Sequence, residues 1–196
     1  MKYKIILASA SKRRSKILKE CAVTHRVVVS NVPEKMDHKK GARFNVLHNA
    51  RLKAQSIADK YKGCFIIGAD TVVLSGKRLI GKPKTKKEAK RILKEFSGKT
   101  ILVYTGLSVI DVKRGKSVSA VDVSKVRVKK LSRKQIERFA KIAGPHDKAG
   151  GFSIEGPGAF IFDNIGGSFY NVLGLPMMKL NELFEKLGVD LLRYSA

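Results

Sequence analysis

Residues 2–22, KYKIILASASKRRSKILKECA, contain the patterns of a strand and a helix joined by a short serine-containing segment. The apolar run before Ser9 predicts a buried strand, and residues 14–22 have the spacing of a short helix. Strands that alternate with helices are typical of α/β folds. Where a strand meets a helix N-terminus, hydroxyls and backbone N–H groups can bind an anion, and the helix dipole favours it.

Arg13 and Arg14 follow the serines and could give bidentate hydrogen bonds to phosphate oxygens. Taken alone, such a motif is more often a solvated turn that leads into a basic helix. Two interpretations therefore stand at this point: an exposed basic turn, and a phosphate-binding site made with Ser9.

The alternation of strands and helices continues along the chain. Residues 25–32 predict a β-branched strand, and residues 42–61 have the longest helical pattern. The apolar stripe predicted for this helix consists of residues three or four positions apart: Phe44, Leu47, Ala50, Ala54 and Ile57. Lys53 is expected at the border of that stripe rather than on the outer face.

Residues 64–83, CFIIGADTVVLSGKRLIGKP, predict a strand, a polar break that contains Asp70, and a hairpin that turns at residues 75–78. Two later helices are expected to begin with capping boxes, Thr85 with Glu88 and Ser132 with Gln135. Long strands between them are expected to turn at KRGK. These patterns predict an α/β fold with a mixed central sheet flanked by helices, in a single domain that covers residues 1–196.

The glycine-rich stretch 149–175 reads as irregular. Its phenylalanines, Phe160, Phe162 and Phe169, are expected to fill the core. The last helix is expected to end at Gly188.

The composition limits the classes of partner. Lys and Arg number 41 against 16 Asp and Glu, for a net charge of +25, which favours anionic partners such as nucleotides, nucleic acids or acidic membranes. No signal peptide is visible, and no apolar segment approaches the ~20 residues that span a bilayer. Two cysteines are too few for a disulfide scaffold. We therefore expect a cytoplasmic protein without a membrane partner.

Several charged residues stand where strands and hairpins are expected to end. Asp70 could hold Mg²⁺ or take a proton from water, or it could simply cap a turn. Lys82 lies between a glycine and a proline, where its ammonium could bind a phosphate or simply face solvent. Glu34 could supply a second metal carboxylate, although a polar loop explains it as well. Glu155, among glycines, could read a base or stand beside a metal.

The order of these motifs is more specific than any one of them. LASASKRR, ARLKA, GADTVV, GKP, TG, AGGFSIEG and NVLGLP follow one another between Leu7 and Pro176. In this order they resemble the Maf family of nucleoside triphosphate pyrophosphatases. The resemblance implies two lobes with a central cleft, as in inosine triphosphate pyrophosphatases. It also implies hydrolysis of a nucleoside triphosphate to monophosphate and pyrophosphate with a divalent cation, Mg²⁺ or Mn²⁺. A homodimer and a link to cell-division arrest are further family expectations.

The resemblance also implies substrate-binding residues. Ser9, Arg13 and Arg14 match the family's phosphate-binding motif, and Lys53 and Lys82 match its two phosphate-facing lysines.

Catalytic and specificity roles follow from the same resemblance. Asp70 matches the general base, and Glu34 its partner near the metal, so both are expected metal ligands. Thr71 and Glu155 match positions linked with substrate choice. Lys12 replaces a usual proline, and Glu155 replaces the glutamine of many members. An ionised Glu only accepts hydrogen bonds, whereas Gln also donates. At this position the chain looks more like the branch that acts on methylated GTP, CTP and UTP than the dTTP/UTP branch.

Two other functions remain open from the sequence. One is a house-cleaning pyrophosphatase for ITP or XTP. The other is a basic nucleic-acid-binding protein, which the net charge alone suggests. No helix has base-reading spacing and no aromatic RNA-binding motif is visible, so a nucleic acid is not expected to be the specific partner.

Overall fold

The computed structural model of the chain describes residues 4–142 and 148–194. The described strands are, in chain order, β1 (Lys4–Leu7), β2 (His25–Val27), β3 (Cys64–Ser75), β4 (Arg78–Ile80), β5 (Thr100–Asp111), β6 (Lys116–Val128) and β7 (Phe162–Gly166). The described α-helices are α1 (Lys12–Glu20), α2 (Gly41–Ala58), α3 (Lys86–Phe96), α4 (Arg133–Ile142), α5 (Phe169–Leu173) and α6 (Met177–Lys186).

All seven strands belong to one mixed sheet. The order is β2-β1-β3-β5-β6-β7, with β4 paired to β3 beside this path. β1 runs parallel to both β2 and β3, and the other pairs are antiparallel. The predicted α/β class with a mixed sheet is therefore confirmed.

Strand pairing along one edge of β3 has a gap. One edge of β3 pairs with β5 from Phe65 to Leu74. The other edge pairs with β1 at residues 64–67 and with β4 at residues 73–75. Residues 68–72 lie between these two partners, and within the described ranges no strand pairs with them on that edge. The sheet is thus continuous on the β5 side and open on the other.

Helix α2 crosses this region at unusually short range. A methyl group added at Gly68 would overlap the carbonyl oxygen of Ala50, and one added at Gly106 would overlap that of Val46. Glycine at these two strand positions lets the helix backbone approach the sheet directly. Side chains on the inner face of α2 are therefore held against the middle of β3.

The core divides around the same point. The main cluster lies under α1, α3 and α6, with Phe65, Phe96 and Phe184 among its fully buried members. Beneath α2 are two smaller clusters. The one towards β1 contains Ile6, Ala8, Ala54, Ile57, Cys64 and Ile66. The one towards β4 contains Ala42, Val46, Val72 and Leu79. Between these clusters α2 presents polar side chains to the gap.

Local helix signals are confirmed. The hydroxyls of Thr85 and Ser132 accept the N–H groups of Glu88 and Gln135 at 3.1 and 3.3 Å. The four apolar residues that repeat along α3 are all buried. Helix α1 begins at Lys12, two residues before the predicted start, because the Ser11 hydroxyl caps it.

Several expectations are wrong. Asp70 does not mark a break, because β3 continues through it from Cys64 to Ser75. Phe44 is 42% exposed, since α2 buries the adjacent face instead. Phe160 and Phe169 are exposed as well, and of the three phenylalanines expected in the core only Phe162 is buried there.

The second strand is shorter than expected, since β2 ends at Val27. The stretch 149–175 also contains a strand and a short helix. Residues 2 and 3 of the predicted first strand lie outside the described residues.

Candidate active site

The carbonyl oxygen of Ala69 faces the gap in the sheet and has two cationic partners. Arg14 Nη1 donates to it at 2.9 Å and Lys53 Nζ at 3.2 Å. A strand residue without a neighbouring strand needs other donors for its buried carbonyl. Here side chains from α1 and α2 supply them, and both converge on the middle of β3.

On the α2 side of β3, one ammonium lies between two carboxylates. Lys53 Nζ is 2.7 Å from Asp70 Oδ1 and 2.7 Å from Glu34 Oε1. Lys53 and Asp70 are 6% and 5% exposed, and Glu34 is the more open member. Lys53 is therefore buried at the centre of the cluster rather than at the border of a stripe.

Two asparagines on α2 hold the loop that carries Glu34. Asn49 accepts the N–H of Lys35 at 3.0 Å and donates to its carbonyl at 2.9 Å. Asn45 does the same to Asp37, at 2.6 and 2.7 Å. Each asparagine side chain thus makes two hydrogen bonds to the backbone of one loop residue, as a neighbouring strand would. The loop is fixed along α2, which places Glu34 beside Lys53.

Asn49 also contacts the predicted general base. Its Nδ2 donates to Asp70 Oδ2 at 3.0 Å. Asp70 therefore accepts one hydrogen bond on each oxygen, from Asn49 and from Lys53. Both partners come from the same helix, so the carboxylate orientation depends on the short α2–sheet distance.

Nearby cations lower the pKa of Glu34. Its partial burial acts to raise the pKa of the carboxyl, but the net pKa lies below its ordinary value. The lowering comes from the Lys53 charge and hydrogen bond, followed by the charges of Lys82 and Arg14. Glu34 is consequently held in its ionised form.

The opposite side of β3 is organised by Arg14. Its Nε donates to the Gly174 carbonyl at 2.8 Å, and its Nη1 donates to Ser9 Oγ at 3.2 Å as well as to Ala69. Its Nη2 donates to Thr71 Oγ1 at 3.0 Å. Burial lowers the pKa of the guanidinium, and the charges of Asp70 and Glu34 offset part of this effect.

A chain of hydroxyls extends from Arg14 into the core. Thr71 Oγ1 and Thr105 Oγ1 are 3.0 Å apart, and Thr105 donates to the carbonyl of Asn171 at 3.2 Å. Because a hydroxyl has one proton, Thr71 must be the donor to Thr105. The orientation of Thr71 is therefore fixed from both sides.

The remaining predicted residues surround this centre. Ser9 is buried, and its Oγ also accepts the N–H of Ser11 at 3.2 Å. Arg13 Nε lies 3.5 Å from Glu155 Oε2, and Glu155 is partly exposed. Lys82 is exposed on the loop after β4 and is close enough to affect the Glu34 carboxyl.

All nine predicted residues therefore contribute to one region. The asparagines were not among the predicted residues, although a signal was present in the sequence. Asn45, Asn49 and Lys53 recur every four residues inside a buried helix face. Polar residues at that spacing on an otherwise apolar face indicate a polar site under the helix. Gly68 and Gly106, which let α2 approach, also carry a signal as glycines inside strands.

The donor set fits a hard divalent cation only in part. In the described ranges no group of three or more His, Cys, Asp or Glu side chains could hold a metal. Glu34 and Asp70 nevertheless converge on one cation, the Lys53 ammonium. Mg²⁺ often uses one or two carboxylates and completes its shell with water and substrate phosphates. The two carboxylates fit that pattern.

No helix of the described ranges is long and apolar enough to cross a membrane.

Comparisons with known proteins cover nearly the whole chain. The family model described as Maf-like protein matches residues 4–187. A dTTP/UTP pyrophosphatase of Dictyoglomus thermophilum is 41% identical over 98% of this chain and 100% of its own. One of Caldicellulosiruptor bescii is 38% identical over 97% of this chain and 98% of its own.

A solved structure of a nucleoside-triphosphatase, described as a dITP/XTP pyrophosphatase, from Mycobacterium abscessus shows a more distant likeness. It is 18% identical, covers 65% of this chain and 75% of its own, and has a TM-score of 0.41.

Proposed function

The chain belongs to the Maf family, and on that premise we propose that it is a pyrophosphatase that hydrolyses dTTP and UTP. The products would be the nucleoside monophosphate and pyrophosphate. The names of the curated relatives support these substrates. The observation that carries the proposal is the cluster at the gap in the sheet, where buried Lys53 and Asp70 meet the more exposed Glu34.

Asp70 is the proposed general base. A water molecule attacks the α-phosphorus, the bond from that phosphorus to the oxygen bridging to the β-phosphorus breaks, and pyrophosphate leaves. The proton of the water passes to Asp70. Each oxygen of this carboxylate accepts one hydrogen bond, from Lys53 or Asn49. Since a carboxylate oxygen can accept more than one, Asp70 can also receive the water.

Glu34 and Asp70 would hold the divalent cation, Mg²⁺ or Mn²⁺. When bound there, the cation would neutralise negative charge on the phosphates.

The triphosphate would be bound by cations on both sides of the cleft. Arg13 lies on α1, Lys82 on the loop after β4 and Ser9 on the segment between β1 and α1, and each would contact a phosphate. Arg14 was expected to bind phosphate, but we assign it a positioning role, because four of its N–H donors already bond protein oxygens. It would hold Ser9 and Thr71 in position for the substrate.

Base selection is assigned to Thr71 and Glu155. The names of the relatives favour dTTP and UTP, whereas Glu155 alone pointed to the methylated GTP branch. The ion pair with Arg13 supports a role for Glu155 in positioning a phosphate-binding arginine. A cytoplasmic location and a homodimer remain predictions.

The decisive experiment compares wild type with Asp70→Asn in an assay that separates pyrophosphate from orthophosphate. With dTTP or UTP and Mg²⁺, the wild type should release pyrophosphate and monophosphate. The variant should lose turnover at least a thousandfold, roughly the range of general-base catalysis with added loss of a metal ligand, and should still bind nucleotide. Asp163→Asn, on the exposed part of β7, is the matched control and should be fully active.

Three outcomes would contradict the assignment. Near-normal turnover of Asp70→Asn would remove Asp70 as the base. Release of orthophosphate alone would exclude cleavage between the α- and β-phosphates. A higher kcat/KM for ITP, XTP or methylated GTP than for dTTP and UTP would replace the proposed substrates.

A further inference from the structure

Lys53 has no donor left for a phosphate in this structure. An ammonium has three N–H donors. Those of Lys53 have three acceptors at hydrogen-bonding distance: Glu34 Oε1, Asp70 Oδ1 and the Ala69 carbonyl. A lysine that is to bind a phosphate must therefore first leave one of these partners.

The place that Lys53 occupies is also the place of the proposed metal. Its ammonium is 2.7 Å from an oxygen of each carboxylate that would hold a divalent cation. A divalent cation held by these same two oxygens would displace the ammonium. Lys53 is buried, so displacement would leave a charge without a counter-ion, which is strongly unfavourable.

A triphosphate removes that penalty. It brings anionic oxygens to the cleft, and the flexible four-carbon stem of a lysine allows its ammonium to exchange a carboxylate for a phosphate. With Glu34 and Asp70 holding a divalent cation, Lys53 would keep an anionic partner in the phosphate. Without a metal, the same two carboxylates would repel the phosphates.

We propose that Lys53 is an internal counter-ion that couples binding of the divalent cation to binding of the triphosphate. The inference rests on the proposed function, since it takes the ligands to be a metal and a nucleoside triphosphate. It goes beyond that function in setting the order of events: neither ligand binds tightly alone, and the metal–nucleotide complex binds as a unit.

The test is a titration of Mn²⁺ into the full-length protein, followed by electron paramagnetic resonance, with and without α,β-imido-dUTP. Mn²⁺ bound by the free analogue is measured separately and subtracted. For the wild type we expect Mn²⁺ to bind at least about tenfold more tightly with the analogue, within the usual range of coupling between sites. For Lys53→Met we expect Mn²⁺ alone to bind at least about tenfold more tightly than to wild type. The analogue should then improve its affinity less than about threefold.

Lys82→Met is the matched control. Lys82 also acts electrostatically on Glu34 but is exposed, and none of the described hydrogen bonds or ion pairs joins it to either carboxylate. Its removal should change the affinity for Mn²⁺ alone by less than about threefold, the size of a screened surface charge effect. An equal gain in both variants would show a general charge effect and overturn the proposal.

The proposal is also overturned if wild type shows no coupling, or if Lys53→Met gains no affinity for Mn²⁺ alone. If Lys53→Met does not fold without metal, Lys53→Gln, which keeps a neutral donor, takes its place. The titration does not depend on turnover. If Lys53→Met gains Mn²⁺ affinity but the wild type has no pyrophosphatase activity, the counter-ion role is supported and the proposed function is refuted. If the wild type is active but Lys53→Met gains no Mn²⁺ affinity, the proposed function is supported and the counter-ion role is refuted.

Discussion

The two sides of β3 at the gap each contain a buried cation, and the two cations have different kinds of partner. On one side Lys53 contacts two carboxylates; on the other, the bonds described for Arg14 go to carbonyl and hydroxyl oxygens. A metal ion competes with a cation for carboxylates, but it does not compete in the same way for carbonyls already fixed in a fold. Lys53 can therefore exchange its carboxylate partners, whereas Arg14 keeps its carbonyl and hydroxyl partners and fixes the backbone on its side of the gap.

Removal of Arg14 should have the largest effect on stability. Arg14→Met removes the donor to the Gly174 carbonyl and the Thr71 hydroxyl and leaves the Ala69 carbonyl with Lys53 alone. It should lower the free energy of unfolding by roughly 3–5 kcal/mol. Urea denaturation measures the loss. Lys16→Met, on the exposed face of the same helix, should lower the free energy of unfolding by less than about 1 kcal/mol. An equally small loss of stability for Arg14→Met would mean that Arg14 does not fix this side of the gap.

Asn49 tests the other side, and its expected effect is on catalysis. Asn49→Ala removes a hydrogen bond to Asp70, and kcat should fall about ten- to a hundredfold with little change in KM, as for other groups that orient a catalytic ligand. Steady-state kinetics on dTTP measures the split between kcat and KM.

Asn45→Ala provides the comparison for Asn49. Asn45 holds the same loop, but none of the described hydrogen bonds joins it to Asp70. Both variants should lose similar stability, because each loses one pairing with the loop. If kcat falls equally in both, the loop and not the orientation of Asp70 explains the loss.

The smallest effect is the pH dependence of the Glu34 contribution to stability. Its pKa is lowered in the folded protein, so its stabilisation is present above the ordinary value of 4.5 and is lost as pH falls through the folded value. The difference in Tm between wild type and Glu34→Gln should be constant from pH 6 to 8 and shrink below about 4.5. Since Glu34 is half-exposed, this difference should be small. A difference that grows on acidification would show the opposite shift.

Much of the fold could be predicted because its signals are local. The capping boxes at Thr85 and Ser132, the turn at residues 75–78 and the apolar repeat of α3 are all contained in a few consecutive residues. Asp70 was misplaced for the opposite reason. The strand continues through it because β5, more than thirty residues later in the chain, pairs with that segment.

The site could be predicted residue by residue only through the resemblance of its motifs to a family. What those residues contact was not predictable. Arg14 looks identical to Arg13 in the sequence, yet one is buried against carbonyls and the other pairs with Glu155. Asn49 was missed because its partners, Lys35 and Asp70, are brought together by tertiary structure alone.

The continuity of the sheet on the β5 side has a mechanical consequence. β3 and β5 pair without interruption from Phe65 to Leu74, past the gap, from the segment that pairs with β1 to the segment that pairs with β4. These two segments are thus joined by a continuous hydrogen-bonded strand pair. A change in the width of the gap would twist or bend that strand pair. Because α2 packs directly on it at Gly68 and Gly106, such a motion would also displace the helix that carries Lys53 and Asn49.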